Sequence, residues 1–394
     1  MIPFDAERLT RLMRALGADV VLATSRHNVR YLTGGYYLSF YARTPRFGGG
    51  QYLSVVGISA ERPEAAFYVG RRDAILNEEE YIAAFGPFWI ENRHWIARGA
   101  SMTVAAAEAA ARALRAQGLA GGTIAVESSF IPADAFEALR RELPEATFVN
   151  AAPMLGELRA VKRPAELDRL RQVHRLTAEA IHVVLSDGRA DQTTREIAAR
   201  VQRRIEERGA RFLYAFTNVG PGFRRAASSE RWGTGRALHV DAGAELDEYM
   251  ADIARMGSVG AAPAPAADVF HACLESQARI RGDVAAGLSC RDLWRIGTET
   301  VTSGPWGRYG RFLGHGVGMV SHEPPVIAED SRGTLEESMV VSIETEYLHP
   351  DVGHVKLEDS VVVTATGCEG LGDVERDWVT APAARPSRGV AENP

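Results

Sequence analysis

The chain has 394 residues, 46% hydrophobic and 24% charged, near the average for globular domains, which excludes disorder, collagen and coiled coil as descriptions of the whole. At roughly 100–200 residues per domain the length accommodates two domains. The 45 basic and 51 acidic residues are interspersed and give a net charge of −6, so nothing favours nucleic acid or an anionic membrane as partner.

Three cysteines, Cys273, Cys290 and Cys368, form no CxxC pair and argue against a disulfide framework or cysteine-ligated zinc. The first residues lack a basic stretch followed by an apolar one, and no apolar run reaches the ~20 residues of a membrane span. The expectation is a cytoplasmic, reducing location.

In chain order, Leu9, Leu12, Met13 and Leu16 have helical spacing and predict a helix over 5–17. A buried strand follows at 18–23. Residues 34–50 are dense in glycine and aromatics (Tyr36, Tyr37, Phe40, Tyr41, Phe47, Gly48, Gly49, Gly50) and read as a loop that covers a pocket, meets another subunit or packs on its own domain. A second alternation gives an Ala-rich helix at 101–116, a strand at 121–127 and a helix at 133–143, the pattern of an α/β layer domain. Residues 151–166 read as a connector, with Pro164 opening a long helix to about 185. Thr193 and Glu196 form a capping box for a helix to about 208. Strands are expected over 212–257, helices over 264–281 and 290–303, and short strands from 311 to 364. The succession of helix pair, strands, helix pair, strands hints at internal duplication. The Pro-, Ala- and Arg-rich residues 376–394 read as a loosely held tail.

The chemistry-bearing residues lie in the C-terminal half. Asp241 ends the apolar run Leu238-His239-Val240, and Asp252 stands eleven residues on, across the turn-like Glu245-Leu246-Asp247-Glu248. A hairpin would bring both carboxylates to one face. Burying two like charges side by side is unfavourable unless a divalent cation supplies the counter-charge. His315 sits between glycines in Gly314-His315-Gly316-Val317-Gly318, His322 precedes Glu323-Pro324-Pro325, and Glu344 and Glu358 end strand-like runs. Four carboxylates and one imidazole suit Mn²⁺, Fe²⁺, Co²⁺ or Zn²⁺, and with bridging carboxylates they suffice for two ions about 3.5–4 Å apart.

The ordered series Val240-Asp241-Ala242-Gly243, Asp252-Ile253, Gly314-His315-Gly316, His322-Glu323, Ser342-Ile343-Glu344 and Leu357-Glu358-Asp359 resembles the pita-bread metalloenzymes, the superfamily of methionine aminopeptidase, Xaa-Pro aminopeptidase, prolidase and creatinase. Upstream, the run from Asn28 to Gly34 resembles the opening motif of the creatinase/prolidase N-terminal domain. Leu158, Arg159, Ala160, Val161 and Lys162, with Glu166, resemble the lead-in to the catalytic domain.

The resemblance implies an α/β N-terminal domain over 1–157, an α+β pita-bread catalytic domain over 158–375 and a tail over 376–394. It implies a dinuclear metal-dependent hydrolase, Xaa-Pro peptidase-like, that cleaves an amide or C–N bond with water held between the ions. Asp241 would hold one metal, Asp252 and Glu358 both, and His315 and Glu344 the second. His322 would act on substrate or developing charge, and Glu344 would also orient the water. A homodimer with the N-terminal domain near its partner's site is implied too, with 34–50 as the contact.

Four departures stand out. No histidine occurs in 213–238, Arg311 stands four before His315 where histidine is usual, Thr345 replaces a proline, and Lys356 replaces an arginine. Arg311, Arg224, Arg225 and Tyr249 are the candidate substrate contacts, with Arg231 beside them, since arginine grips carboxylates bidentately. The alternatives to a dipeptide substrate are a small non-peptide zwitterion (as for ectoine hydrolase, creatinase or dimethylsulfoniopropionate lyase) and a binding module. Loss of ligands would have marked the binding module, and none is lost.

Overall fold

The computed structural model describes residues 2–38 and 52–383. The chain divides into two compact units, Met1–Leu158 and Arg159–Pro394.

In the first unit, α1 (Ala6–Leu16), β1 (Val20–Ala23), α2 (Arg26–Thr33), β2 (Val55–Ser59), β3 (Phe67–Arg71), α3 (Glu78–Phe85), β4 (Asn92–Ile96), α4 (Met102–Ala116), β5 (Thr123–Val126), α5 (Ala133–Glu142) and β6 (Thr147–Asn150) follow one another. Among the described residues the strands form one mixed six-stranded sheet, β4-β3-β2-β1-β5-β6. The motif beginning at Asn28 is a scaffold element. The buried Glu127 accepts hydrogen bonds from the amides of Thr24 and Ser25, the Ser25 hydroxyl and Asn28 Nδ2, at 2.5–2.8 Å, and so fixes the start of α2. Gly34 ends that helix at φ 82°, a left-handed conformation that suits glycine. Of the 34–50 segment, residues 39–50 lie outside the described residues. Tyr36 is buried, edge-on to Tyr68, Phe85 and Phe88, and its hydroxyl donates to Glu78.

The stretch expected as a connector is helical: α6 spans Ala152–Ala160. Pro153 in its first turn has no amide to leave unsatisfied, and Leu155 and Leu158 are fully buried, which outweighs the weak sequence pattern.

The second unit continues with α7 (Pro164–Ser186), α8 (Thr194–Glu206), β7 (Arg211–Val219), β8 (Ala237–Leu246), β9 (Tyr249–Val259), α9 (Ala266–Asp283), α10 (Cys290–Ser303), β10 (Gly310–Gly316), β11 (Glu323–Val326), β12 (Val340–His349), β13 (Gly353–Val363), β14 (Cys368–Gly370) and β15 (Val379–Ala381). The strands order as β11-β10-β12-β13-β9-β8-β7, with β14 on β13 and β15 parallel to β9. Residues 379–381 are therefore held in the sheet, with Ala381 fully buried, and are not part of a loose tail; 384–394 lie outside the described residues. Two similar halves meet where β13 pairs with β9. The first packs α7 and α8 on β7–β9 around Ile181, Ile197, Val201 and Ile253. The second packs α9 and α10 on β10, β12 and β13 around Phe270, Cys273, Ile343 and Leu357.

β8 and β9 are joined by a two-residue turn in which Asp247 (φ 50°) and Glu248 (φ 73°) are both left-handed, the geometry that matches strand twist in tight hairpins. On the helix-facing side at the junction, Arg255 is fully buried. Its Nη2 donates to Asp359 Oδ1 at 2.6 Å and its Nη1 to the Glu358 carbonyl at 2.9 Å; further bonds reach the carbonyls of Gly372, Val374 and Glu375.

Arg255→Met should lower stability by about 3–5 kcal/mol in urea unfolding, because it strips buried carbonyls and a buried carboxylate of their donor. A loss below about 1 kcal/mol would mean that Arg376, also on Asp359, suffices alone.

Candidate metal centre

Strand alternation assigns side chains to the two faces of the sheet. Cross-strand register places Leu313, Glu344, Glu358, Ala254, Asp241 and Phe216 in one row on the face away from the helices. Ala254, between Glu358 and Asp241, is small enough to leave space above it. Asp252 lies one pleat along, opposite Gly243. A side chain at 243 would collide with the Tyr214 ring, which lies over that glycine and hydrogen-bonds to Asp252. His315 lies opposite Ser342.

The five expected ligands thus come together, all at most 7% exposed: Asp241, Asp252, His315, Glu344 and Glu358. Ligand atoms of Asp241, Asp252 and Glu358 lie within 4.8 Å of one another, as do those of His315, Glu344 and Glu358, and those of Asp252, His315 and His322. His315 Nε2 is 3.1 Å from Glu344 Oε1 and 3.8 Å from Glu358 Oε1. Serines orient the carboxylates: Ser342 Oγ donates to Glu358 Oε1 and Ser321 Oγ to Asp252 Oδ2, both at 3.0 Å. His322, exposed, stacks on His315 with ring centroids 3.8 Å apart.

The charges perturb one another strongly. Burial, with Glu358 and Asp241 nearby, pushes the Asp252 carboxyl well above the usual carboxylate range. Burial opposes charge on His315, yet its contacts with Glu344 and Glu358 hold the imidazole well above its ordinary value. Burial, then the neighbouring His315, lowers His322. An excess of buried carboxylates beside one imidazole is the donor set of a hard or borderline divalent cation, so the residues present fit such an ion.

The substrate candidates separate. Arg225 donates to Asp241 Oδ2 while its guanidinium lies over Phe216. Arg311, on the exposed rim, is 3.4 Å from Glu346. Arg224 bonds Asn218 through its backbone amide, and Arg231 reaches the Asp191 carbonyl. Tyr249 is not brought into the cluster: it falls on the opposite face of β9 from Asp252, and its hydroxyl donates to the buried Glu166. The lead-in residues are also structural, since Arg159 and Lys162 both pair with buried Glu323 at 3.0 Å.

The residue that the sequence reading noted only as a departure is Lys356. Its Nζ is hydrogen-bonded to Asp241 Oδ2 at 3.0 Å and lies 2.6 Å from Glu344 Oε2. It is 2.7 Å from Glu358 Oε2, in ion contact without hydrogen-bond alignment. Burial disfavours the ammonium, but the surrounding carboxylates hold it well above its ordinary pKa. Period-two alternation alone would have put Lys356 beside Glu358. It would also have found the adjacent buried group, in which His354 bonds Glu346 at 2.6 Å and stacks near His239.

Ser342→Ala should weaken Mn²⁺ binding roughly 10- to 100-fold, the usual cost of losing a residue that orients a ligand, while the metal-free chain melts as wild type does. Calorimetric titration checks it, and an unchanged affinity would show that Glu358 needs no such support.

Similarity to known proteins agrees with this geometry. The model of metallopeptidase family M24 matches residues 168–365, and that of the creatinase/prolidase N-terminal domain matches residues 6–161. A Pyrococcus horikoshii Xaa-Pro dipeptidase is 26% identical over 263 residues, covering 65% of this chain and 75% of the relative. An uncharacterised Bacillus subtilis peptidase is 25% identical over 367 residues, 92% of this chain and 95% of the relative. The crystal structure of a dipeptidase from Pyrococcus horikoshii shares the fold, with a TM-score of 0.81 at 21% identity over 95% of this chain and 99% of the other.

Proposed function

The chain belongs to metallopeptidase family M24, and from that premise we infer that it is a divalent-metal hydrolase of the Xaa-Pro dipeptidase type, cleaving an amide bond of a small substrate. One observation carries the reading: all five donors converge, buried, on one face of one sheet. They offer two adjoining positions, one at Asp241, Asp252 and Glu358, the other at His315, Glu344 and Glu358. Cations held there polarise a carbonyl and make water more acidic. In this reading Glu344 would orient the attacking water and accept its proton. His322, beside His315 yet open to solvent, would donate a hydrogen bond to the oxygen on which charge develops and pass a proton onward. Arg311 on the rim suits a substrate carboxylate.

A second reading, a small zwitterionic substrate without a peptide bond, is favoured by the ionic row beside the cage, where Arg311 meets Glu346 and Glu346 meets His354. Such a row matches paired charges better than an apolar proline ring.

Assay of Xaa-Pro dipeptides with Mn²⁺, Co²⁺, Fe²⁺ and Zn²⁺ should give metal-dependent hydrolysis that a chelator abolishes. Bound metal without dipeptide cleavage would reject the dipeptidase reading in favour of the zwitterion. His322→Ala should retain metal while turnover falls roughly 10²–10⁴-fold; loss of metal instead would make His322 a ligand.

A further inference from the structure

The way Lys356 divides the carboxylate oxygens says more about the centre than the ligand set alone. Its ammonium takes one oxygen from each of three carboxylates: Asp241 Oδ2, Glu344 Oε2 and Glu358 Oε2. His315 faces the other oxygens of two of them, Glu344 Oε1 and Glu358 Oε1. The shared glutamates are thus split between a lysine side and an imidazole side. On the lysine side, Asp241 Oδ2 also receives Arg225, so one oxygen of the Asp241 position already serves two cations.

We propose that Lys356 is a resident cation of this centre: its ammonium holds the Asp241 side of the cage, so that one divalent ion binds tightly at His315, Glu344 and Glu358, and a second enters only by displacing the ammonium. The proposal rests on the metal-centre reading above and refines it.

Two arguments support it. Lysine is a compact point charge, and here three carboxylate oxygens surround it at 2.6–3.0 Å, that of Asp241 hydrogen-bonded and that of Glu358 in ion contact; arginine, a planar fork, would spread its charge over a wider area. Charge balance agrees. With His315 neutral, as an imidazole that binds a metal must be, four buried carboxylates face the ammonium of Lys356 and the guanidinium of Arg225, leaving two negative charges, which is the charge of one divalent ion. Two ions would overcompensate a site with almost no solvent to screen the excess. Lys356 is itself only 2% exposed and stands two residues from Glu358 on the same strand, so its ammonium has no route to water without leaving its carboxylates.

The test is Mn²⁺ stoichiometry in the full-length chain, stripped with chelator and retitrated by calorimetry and elemental analysis. Wild type should take one tight equivalent. Lys356→Met, which keeps the length of the side chain but not its charge, should take two, with the second bound at least roughly tenfold more tightly than in wild type, on the scale of removing a buried competing charge. Electron paramagnetic resonance of wild type gives a readout that needs no variant: the signal at saturation should be that of an isolated ion, not an exchange-coupled pair. Two equally tight ions in wild type, a coupled pair in its spectrum, or an unchanged stoichiometry in a folded Lys356→Met protein would each overturn the proposal. No Mn²⁺ bound by any of the proteins would overturn the metal-centre reading itself, and the role of Lys356 with it.

Discussion

Repulsion among four carboxylates in one dry pocket is the constraint to which the rest of the catalytic unit answers. Two like charges 4 Å apart repel by about 4 kcal/mol at an effective dielectric near 20, and Asp241, Asp252, Glu344 and Glu358 are all nearly solvent-free. A fold tolerates such a cluster only if it supplies positive charge and holds each oxygen rigidly. Lys356 and Arg225 supply part of the charge from within the chain, and His315 supplies more when protonated. The serines at 321 and 342 fix two of the carboxylates. The remaining negative potential is what suits the site to a cation.

The sheet meets this demand by dividing labour between its faces. Along β13, Lys356 and Glu358 face the site while Leu357 and Asp359 face the helices; along β9, Asp252 and Ala254 face the site while Arg255 faces inward. Neighbouring residues of a single motif therefore do different physics. Glu358 faces the candidate metal site, whereas Asp359 with Arg255 clamps the strand that presents it. The same separation holds around His322, whose neighbour Glu323 is locked by Arg159 and Lys162. A motif that reads as one catalytic signature is half site and half scaffold.

This division explains what was legible in the sequence. Long periodic helices such as Pro164–Ser186, the capping box at Thr193 and the hairpin carrying Asp241 and Asp252 follow from local patterns, and structure and sequence agree on them. Residues 152–160 escaped because a short, Pro- and Gly-containing helix owes its existence to burial of Leu155 and Leu158, which no local signal states. The strand at 379–381 escaped for a related reason: three residues pair only because β9 offers an edge. Tyr249, a candidate substrate contact from the sequence, stands three positions before Asp252, an odd offset that turns its side chain to the opposite face of the strand. The converse applies to Lys356, whose even offset from Glu358 pointed into the cage all along.

The candidate ligands also come from different halves of the second unit. Asp241 and Asp252 belong to β8 and β9 of the first, and His315, Glu344 and Glu358 to β10, β12 and β13 of the second. The cage exists only where β9 and β13 meet, at the pairing of Glu358 with Ala254, and there the guanidinium of Arg255 reaches across to the Glu358 carbonyl. Neither half alone assembles both cation positions. Any ion bound to Asp252 and Glu358 together is then a bond between halves, and its binding free energy adds to the stability of their junction, because the unfolded chain presents no such site. Arg255 on one face and the cation site on the other are two fasteners of the same seam. The carboxylate repulsion that would open this seam in an empty cage becomes, once a cation is bound, the attraction that closes it.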